Sequence, residues 1–273
     1  MSKKISSMYT NLIRLLLKTM KVQRQDITAS IISQNLIPEP HVDTPFGAVQ
    51  FHCPNREALE YPRTLMTREP DTIDWIGKFS KGEVFWDIGA NVGAYSLIAA
   101  LVTKNFVLAF EPSGQTFSLL VNNIKLNNLN EIIWPFCIAF SNKTQLDFLN
   151  IPNAYASSVF NVFGDENDTR ESGNKSLFRQ KVPGFSIDDF IKIYNPPLPN
   201  HIKIDVDSIE LQILKGAEKL LKNNAVKSIL VEVVQEPGSR NYKSITDLLK
   251  FSGFESRAND NSLKNENIIF TRT

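Results

Sequence analysis

The sequence predicts a doubly wound α/β fold, in which a mostly parallel sheet carries helices on both faces. Two observations predict it. From Glu83 onward, short apolar runs alternate with amphipathic stretches, which is typical of βαβ units. A glycine-containing turn, 87–93, follows the first apolar run and leads into a helical pattern. With 273 residues, the chain is long enough for one three-layer domain and an additional N-terminal segment.

The predicted elements follow the spacing of the apolar residues. Continuous apolar runs predict strands over 84–88, 106–110, 132–138, 202–206, 226–234 and 267–271. Apolar residues at three- and four-residue spacing predict helices over 95–102, 115–126, 209–221 and 242–251. A helix entered through Pro70 should pack against the helix after the first strand. Residues 140–152 predict an additional strand pair, and Ser186 predicts another helix start.

The pattern of apolar and polar residues changes at Gly82. Residues 1–81 show scattered prolines and polar residues without a strand–helix repeat, so we predict an N-terminal helical extension over 1–81 and a catalytic domain over 82–273. The first residues of the extension combine apolar and basic side chains: Leu12, Ile13, Leu15, Leu16 and Leu17 with Lys3, Lys4, Arg14, Lys18 and Lys21. A helix packed on the main domain or on a partner subunit is the favoured interpretation, and contact with an anionic membrane is the other.

The composition limits the classes of function. A net charge of +1 gives no reason to expect nucleic acid as a partner. Cys53 and Cys137 lie outside any zinc-ligand spacing, and the three histidines form no paired motif. Without a signal peptide or a spanning apolar run, the sequence predicts a soluble, cytoplasmic protein.

Site chemistry is predicted at the carboxyl ends of the strands. The turn after the first strand presents backbone amides and a helix N-terminus, and glycine allows a ligand to approach closely. Glu111 ends the second strand, where a carboxylate can accept hydrogen bonds from both hydroxyls of a ribose. These features predict an adenosine-type cofactor, held by Asp87, Gly89, Ala90, Asn91, Gly93, Glu111 and Pro112.

Two cofactors of this type compete. The dinucleotide fingerprint GxGxxG needs a glycine where this chain has Asn91. The carboxylate of Asp87 would repel a pyrophosphate, but it suits the ammonium and sulfonium groups of S-adenosylmethionine. The residues therefore favour S-adenosylmethionine over a nicotinamide cofactor, and a non-catalytic cofactor-binding scaffold is a third hypothesis.

Three segments resemble the FkbM family of methyltransferases. They are 87–93, the strand end Phe110-Glu111-Pro112 and the run 202–217, and the upstream residues 69–76 are also similar to some members. The resemblance implies a class I, Rossmann-like fold and methyl transfer from S-adenosylmethionine to oxygen. It also implies acceptors such as hydroxyls of macrolides, sugars or glycolipids. The chain departs from the family where the usual Glu-Gly after Lys-Ile-Asp-Val is replaced by Asp207 and Ser208.

Candidate catalytic groups follow the fourth strand. An alcohol is a weak nucleophile, so a carboxylate that removes its proton helps the attack. Asp205 and Asp207 are the candidates, although Asp205 is alternatively a ligand of the cofactor's ammonium group. Lys203 would hold a carboxylate ionised or orient the acceptor. Glu232 would complete a set of oxygens suited to magnesium, but we predict no metal site because no compact metal-ligand motif is present.

A polar segment over 153–180 is too long for a simple connection. A lid or substrate loop and a plain surface insertion are equally compatible with it. The expected partner is a small-molecule or glycan acceptor. A homo-oligomer is neither indicated nor excluded by the sequence.

Overall fold

The chain forms two compact units. The computed structural model describes residues 2–152, 161–164, 177–206, 208–233, 240–256 and 267–273. The first unit is Met1–Glu39 and consists of the helices α1 (Ser2–Leu17) and α2 (Val22–Asn35), whereas Pro40–Thr273 form the second. Residues 40–81 therefore belong to the same compact unit as the sheet, although the predicted domain starts at Gly82. In the described part of the chain, no helix has the length and apolarity needed to cross a membrane.

A hairpin and two helices precede the sheet. The strands β1 (His41–Thr44) and β2 (Gly47–Gln50) pair with each other, and α3 (Arg56–Arg68) and α4 (Pro70–Ile76) follow. Asn55 caps α3 by accepting a hydrogen bond from the amide of Ala58 at 2.7 Å. Pro70 begins α4, as predicted, because a first helical position needs no amide donor. Helix α4 packs against the helix that follows the first strand of the central sheet, which confirms the expected contact.

The central sheet has seven strands in the order β12-β13-β11-β10-β3-β4-β5. Its strands are β3 (Phe85–Ile88), β4 (Val107–Phe110), β5 (Ile133–Phe136), β10 (His201–Ile204), β11 (Ser228–Glu232), β12 (Phe254–Ser256) and β13 (Asn267–Arg272). The five strands from β11 to β5 are parallel, and β13 is antiparallel to both its neighbours. Every residue of β3, β4 and β10 is buried, as expected for parallel strands covered on both faces. The predicted fold class is confirmed, and the six predicted strands begin and end within two residues of the prediction. Strand β12 was not predicted.

Helices cover both faces of this sheet. They are α5 (Ala94–Thr103), α6 (Gly114–Leu126), α7 (Ile187–Tyr194), α8 (Glu210–Lys215), α9 (Glu218–Leu221) and α10 (Arg240–Phe251). Alternate side chains of each strand enter two separate cores: Phe85 packs with α4 and α5, and Trp86 with the opposite layer. The single helix predicted over 209–221 is wrong, because the chain forms two helices with Gly216 between them. A Cβ at Gly216 would lie 2.2 Å from the carbonyl oxygen of Ser141, so backbone contact occupies this position.

A second, smaller sheet has the order β6-β9-β7-β8. Its strands are β6 (Ala139–Phe140), β7 (Gln145–Ile151), β8 (Val162–Phe163) and β9 (Phe178–Phe185). Two strands do lie in 139–151, but the prediction that they pair with each other is wrong. Strand β9 lies between them, parallel to β6 and antiparallel to β7 over seven residues. Strand β8 and the start of β9 come from the polar segment, of which 153–160 and 165–176 lie outside the described residues.

Candidate functional site

Strand register aligns the predicted site residues across the carboxyl edge of the central sheet. Asp87 on β3 pairs with Lys203 on the neighbouring strand β10. One step beyond the last paired residues, Glu111, Gly89, Asp205 and Glu232 continue the four adjacent strands. Strands β3 and β10 flank the point where the strand order reverses, which is where open α/β sheets bind ligands. The fold therefore assembles four acidic side chains and one lysine at a ligand-binding edge.

The turn after β3 packs tightly against neighbouring backbone. Gly89 has φ of 84°, and a Cβ there would lie 1.8 Å from the carbonyl oxygen of Asp205. The amides of Gly89 and Ala90 each donate to the carbonyl oxygen of Phe110 at 3.0 Å. At Gly93, φ is 85° and a Cβ would lie 2.5 Å from the side chain of Leu120. Glycine is thus required at 89 and 93 both by conformation and by close approach.

Asn91 takes the place of the second glycine of a dinucleotide motif. Its φ is 50°, a left-handed conformation that asparagine tolerates better than most residues. Its side-chain Oδ1 is buried and accepts no hydrogen bond within the described part of the chain. Such an orphaned acceptor is costly unless a ligand supplies a donor.

Asp87 is the most buried carboxyl group of the site, with 1% of its surface exposed. Its Oδ2 accepts a hydrogen bond from the Ser96 hydroxyl at 2.5 Å. Its Oδ1 is buried and receives no donor among the described residues. Burial raises the pKa of Asp87 to about 6, against the opposing effects of Lys203 and Ser96. A cationic donor at Oδ1 would satisfy both the charge and the open hydrogen-bond position.

Glu111 links the turn to the end of β4. Its Oε2 accepts from the amide of Asn91 at 3.0 Å and its Oε1 from the amide of Ser113 at 2.8 Å. A carboxylate oxygen can accept more than one hydrogen bond. Next to it, the carbonyl oxygen of Pro112 accepts from the side-chain amide of Gln180 at 3.0 Å. Gln180, on β9, also accepts from the amide of Gly114 at 3.0 Å and so joins the small sheet to the site.

Lys203 lies at the centre of a buried ionic cluster. Only 1% of its side chain is exposed, and its Nζ forms an ion pair with Asp205. The Glu69 Oε2 is 3.9 Å from Nζ, and Nζ lies 4.7 Å from the centre of the Tyr95 ring. Burial alone would lower the pKa of Lys203, but the charges of Asp205, Glu69 and Asp87 outweigh it and raise the pKa. The lysine therefore stays protonated, and its charge favours the ionised form of the adjoining Asp205.

Asp205 and Glu232 form a carboxyl pair that shares a hydrogen bond. Burial tends to raise the pKa of Asp205, yet Lys203 and the hydrogen bond to Glu232 keep it lowered. Burial and the charge of Asp205 raise the pKa of Glu232, so Glu232 carries the shared proton. A quarter of the Asp205 side chain is exposed, which leaves it accessible from the site.

The other catalytic candidate, Asp207, lies outside the described residues. Its neighbour Ser208 adopts φ of 81°, a left-handed conformation that suits glycine. The backbone thus keeps the shape expected of a glycine at this position, although a serine occupies it. In the described ranges, no group of three or more His, Cys, Asp or Glu side chains is arranged to hold a metal ion.

The segment before the sheet contributes residues that the sequence did not assign to the site. The Glu69 Oε2, at the α3–α4 junction, accepts from the Thr72 hydroxyl at 2.9 Å and from the Asn267 amide at 3.0 Å. Tyr95 also forms a hydrogen bond with Glu69, and burial raises the pKa of Tyr95. The Pro70 helix start and the family resemblance of 69–76 were the signals near Glu69, and neither indicated a role for its side chain.

A small apolar cavity lies on the opposite face of β3, beside the turn. Ile88, Phe110, Pro112 and Ile138 line it together with side chains of the small sheet. His201 lies at the other end of β10, where it contacts Glu83 at 2.9 Å and belongs to the structural core. His201 therefore lies away from the carboxyl edge of the sheet.

Comparisons with known proteins identify related sequences. The family described as Methyltransferase FkbM domain matches residues 87–259. The hexuronic acid methyltransferase AglP of Haloferax volcanii is 25% identical over 170 residues, which are 61% of this chain and 61% of that protein. Methyltransferase 1 of Beauveria bassiana is 23% identical over 189 residues, 66% of this chain and 75% of that protein.

Among solved structures, methyltransferase FkbM from Methylobacillus flagellatus KT has a TM-score of 0.45 and 18% identity. The match covers 71% of this chain and 44% of that one. The chain thus spans about three fifths of the Haloferax relative and less than half of the Methylobacillus protein.

Proposed function

The chain belongs to the family of FkbM methyltransferase domains, and from this membership we propose that it moves a methyl group from S-adenosylmethionine to an acceptor hydroxyl. The acceptor we propose is a sugar, a glycolipid or a secondary metabolite. A single observation carries the cofactor assignment: the buried Oδ1 of Asp87 has no donor in the described part of the chain, at the edge where such sheets bind ligands.

The residues present fit this cofactor. Asp87 and Asn91 offer buried acceptors for an ammonium group, and Glu111 lies at the end of β4, where a carboxylate can bind ribose hydroxyls. Gly89 and Ala90 shape the turn, Gly93 starts α5 and Pro112 lines the adjoining cavity. When bound, S-adenosylmethionine supplies a methyl group on a positive sulfonium. A carboxylate-lined site favours that charge and disfavours a pyrophosphate.

Acceptor activation is assigned to the carboxyl groups after β10. Lys203 lowers the pKa of Asp205, which favours the ionised carboxylate. Because Asp205 is also partly exposed, an acceptor hydroxyl can donate its proton to this carboxylate. Lys203 positions Asp205 rather than contacting the acceptor, because it is almost completely buried. Asp207 remains the second candidate base. Most of the rate enhancement then comes from aligning the hydroxyl with the methyl group.

The proposed acceptor class follows from one named relative. The Haloferax relative is named for a hexuronic acid, which favours a sugar hydroxyl as the acceptor here. Acceptor identity does not follow from fold, and the match covers only part of that relative. A glycan with a free hydroxyl is therefore the first class of acceptor to test.

Calorimetry tests the cofactor assignment. S-adenosylmethionine, S-adenosylhomocysteine and NAD are titrated into the native protein and into the Asp87→Ala and Glu111→Ala variants. Asp247→Ala, an exposed carboxylate on α10, is the matched control. We expect the native protein and the control to bind the first two ligands, and both site variants to lose at least tenfold in affinity, since each loses a charge-assisted hydrogen bond.

Other outcomes would replace the proposal. Binding of NAD alone would make the chain a nicotinamide oxidoreductase, and binding of none of the three would favour a non-catalytic scaffold.

If the cofactor binds, transfer of a labelled methyl group to free sugars, hexuronic acids and glycolipids identifies the acceptor. Loss of transfer in Asp205→Asn with retained cofactor binding would support the assigned base.

A further inference from the structure

The nearly neutral net charge of the chain conceals a basic N-terminal unit. Residues 1–39 contain six Lys or Arg and two acidic residues, which gives a charge of +4. The remaining 234 residues contain 24 Lys or Arg and 27 acidic residues, which gives −3. Before Asp26 there is no acidic residue at all. Charge asymmetry of this kind is typical of a segment that contacts an anionic surface.

The same unit exposes a continuous apolar stripe. Ile5, Met8, Tyr9, Leu12 and Leu16 recur at three- and four-residue spacing on α1, so they share one face of the helix. Between 44% and 60% of each side chain is exposed. Large apolar side chains in this arrangement mark an interaction surface rather than an ordinary solvated helix.

Basic residues flank this stripe at both ends. Lys3 and Lys4 lie in the first turn of α1, and Lys18 and Lys21 follow its last residue. Long basic side chains beside an apolar face extend toward lipid phosphates while the apolar face enters the acyl boundary. Ser7, Thr10, Asn11 and Arg14 lie on the face of α1 opposite the stripe, so the helix is suited to lie in the plane of a membrane interface.

Other occupants fit less well. A second copy of α1 would bring two units of +4 together, and like charges disfavour that contact. A nucleic acid would use the lysines but would leave the apolar stripe in water. Only a surface that is both anionic and apolar uses the two features together.

We propose that α1 docks the chain on an anionic membrane surface, with the stripe of Ile5, Met8, Tyr9, Leu12 and Leu16 in the interface and its flanking lysines on the lipid headgroups. This inference goes beyond the proposed methyl transfer and does not depend on it. Docking would restrict the chain to acceptors at or near a membrane.

Flotation of the full chain with lipid vesicles tests the proposal. One set of vesicles contains phosphatidylglycerol and phosphatidylcholine, and the other contains phosphatidylcholine alone. A Leu12→Ser/Leu16→Ser variant removes apolar contacts, and Lys4→Gln/Lys18→Gln removes charge. Phe251→Ser is the matched control, because this side chain is 88% exposed on α10.

We expect the native protein and the control to bind the anionic vesicles and to dissociate as salt is raised. The lysine variant should bind roughly 30-fold more weakly, about fivefold for each charge. The leucine variant should lose at least tenfold. Thermal denaturation of the leucine variant should leave the main transition unchanged.

Three results would overturn the proposal. One is equal binding, or none, to both kinds of vesicle. Another is a concentration-dependent dimer in sedimentation that the leucine variant abolishes, since a second copy would then cover the stripe. The third is a lowered melting temperature of the main transition in that variant, which would mean that α1 packs on the rest of the chain. None of these measurements uses cofactor or acceptor, so failure here leaves the proposed methyl transfer untested and intact.

Discussion

Replacing Lys203 by methionine tests the ionic cluster at the centre of the site. Methionine fills a similar volume but carries no charge, so the substitution removes the positive charge with little change in packing. The ion pair with Asp205 and the proximity to Glu69, 3.9 Å from Nζ, are both lost. Asp87, on the paired strand, loses the cation that opposes its raised pKa. Three carboxyl groups then lose their shared counter-charge, although the charge of Arg68 still acts on Asp205.

The expected loss of stability is large. Removing one partner of a buried ion pair costs about 3–5 kcal/mol, because the remaining charge stays buried. With a urea m-value of about 3 kcal/mol per M, the unfolding midpoint should fall by roughly 1 to 2 M. Lys215→Met is the matched control: this lysine is exposed on α8, and its loss should change stability by less than about 0.5 kcal/mol.

The pH dependence separates charge from packing. Without Lys203, burial and mutual repulsion raise the pKa of Asp87 and Asp205 in the folded state above their unfolded values. A carboxyl group whose pKa is raised on folding binds more protons when folded, so stability falls as pH rises. The destabilisation of Lys203→Met relative to the native protein should therefore be smaller at about pH 5 than at about pH 8. Urea unfolding at both pH values measures it, and an equal difference at both would refute the electrostatic account.

Three other substitutions test the turn, the residue after Asp207 and the far end of the sheet. Gly89→Ala should abolish binding of S-adenosylhomocysteine in calorimetry, because its Cβ would lie 1.8 Å from a carbonyl oxygen. Gly82→Ala is the control: Gly82 also has positive φ, but no heavy atom lies within 4 Å of its Cβ position, so this variant should still bind the ligand. Ser208→Gly should raise the melting temperature by about 3 °C. Glycine relieves the strained φ of 81°, and this gain exceeds the cost of a more flexible unfolded chain by ~1 kcal/mol. Ser208→Ala keeps the strain and should not raise the melting temperature. Burial tends to raise the pKa of Glu83, but hydrogen bonds from Lys227 and His201 lower the pKa to about 2. The ionised Glu83 therefore stabilises the folded state above the unfolded pKa near 4.5, and this contribution is lost as pH falls toward 2. Glu83→Gln should thus cost about 1.5–3 kcal/mol in urea unfolding at neutral pH and progressively less in acid.

The central sheet was predictable from sequence because its signal is local. Parallel strands that are buried on both faces need side chains that are apolar or that bind a polar partner. Strands β3, β4 and β10 are of this kind over four residues each. The turn after β3 was predictable for the same reason, since its glycines and Asp87 lie next to one another in the chain. Backbone contacts at Gly89 and Gly93 give the physical cause of that motif.

The small sheet was not predictable, because strand pairing depends on partners distant in sequence. Strand β9 begins with Phe178 and Arg179 inside a polar segment, and nothing nearby indicates that it separates β6 from β7. The break at Gly216 was missed for a related reason. The apolar spacing continues through that glycine, and only the backbone of Ser141 pressed against it shows why the helix stops.

The same limit applies to the site, and it bears on where the domain begins. Asp87 and Lys203 lie in apolar strands, Glu111 follows one, and all three were predicted from the sequence. Glu69 lies at a helix junction, where the resemblance of 69–76 to the family indicated no role for it. Packing brings Glu69 to the cluster, where it contacts Lys203, Tyr95 and the last strand. Lys203 neutralises several carboxylates at once, so each of them depends on the others being in place. A domain that started at Gly82 would lack Glu69 and the α4 side chains that pack on β3, and the segment before the sheet is therefore part of the site rather than an appendage to it.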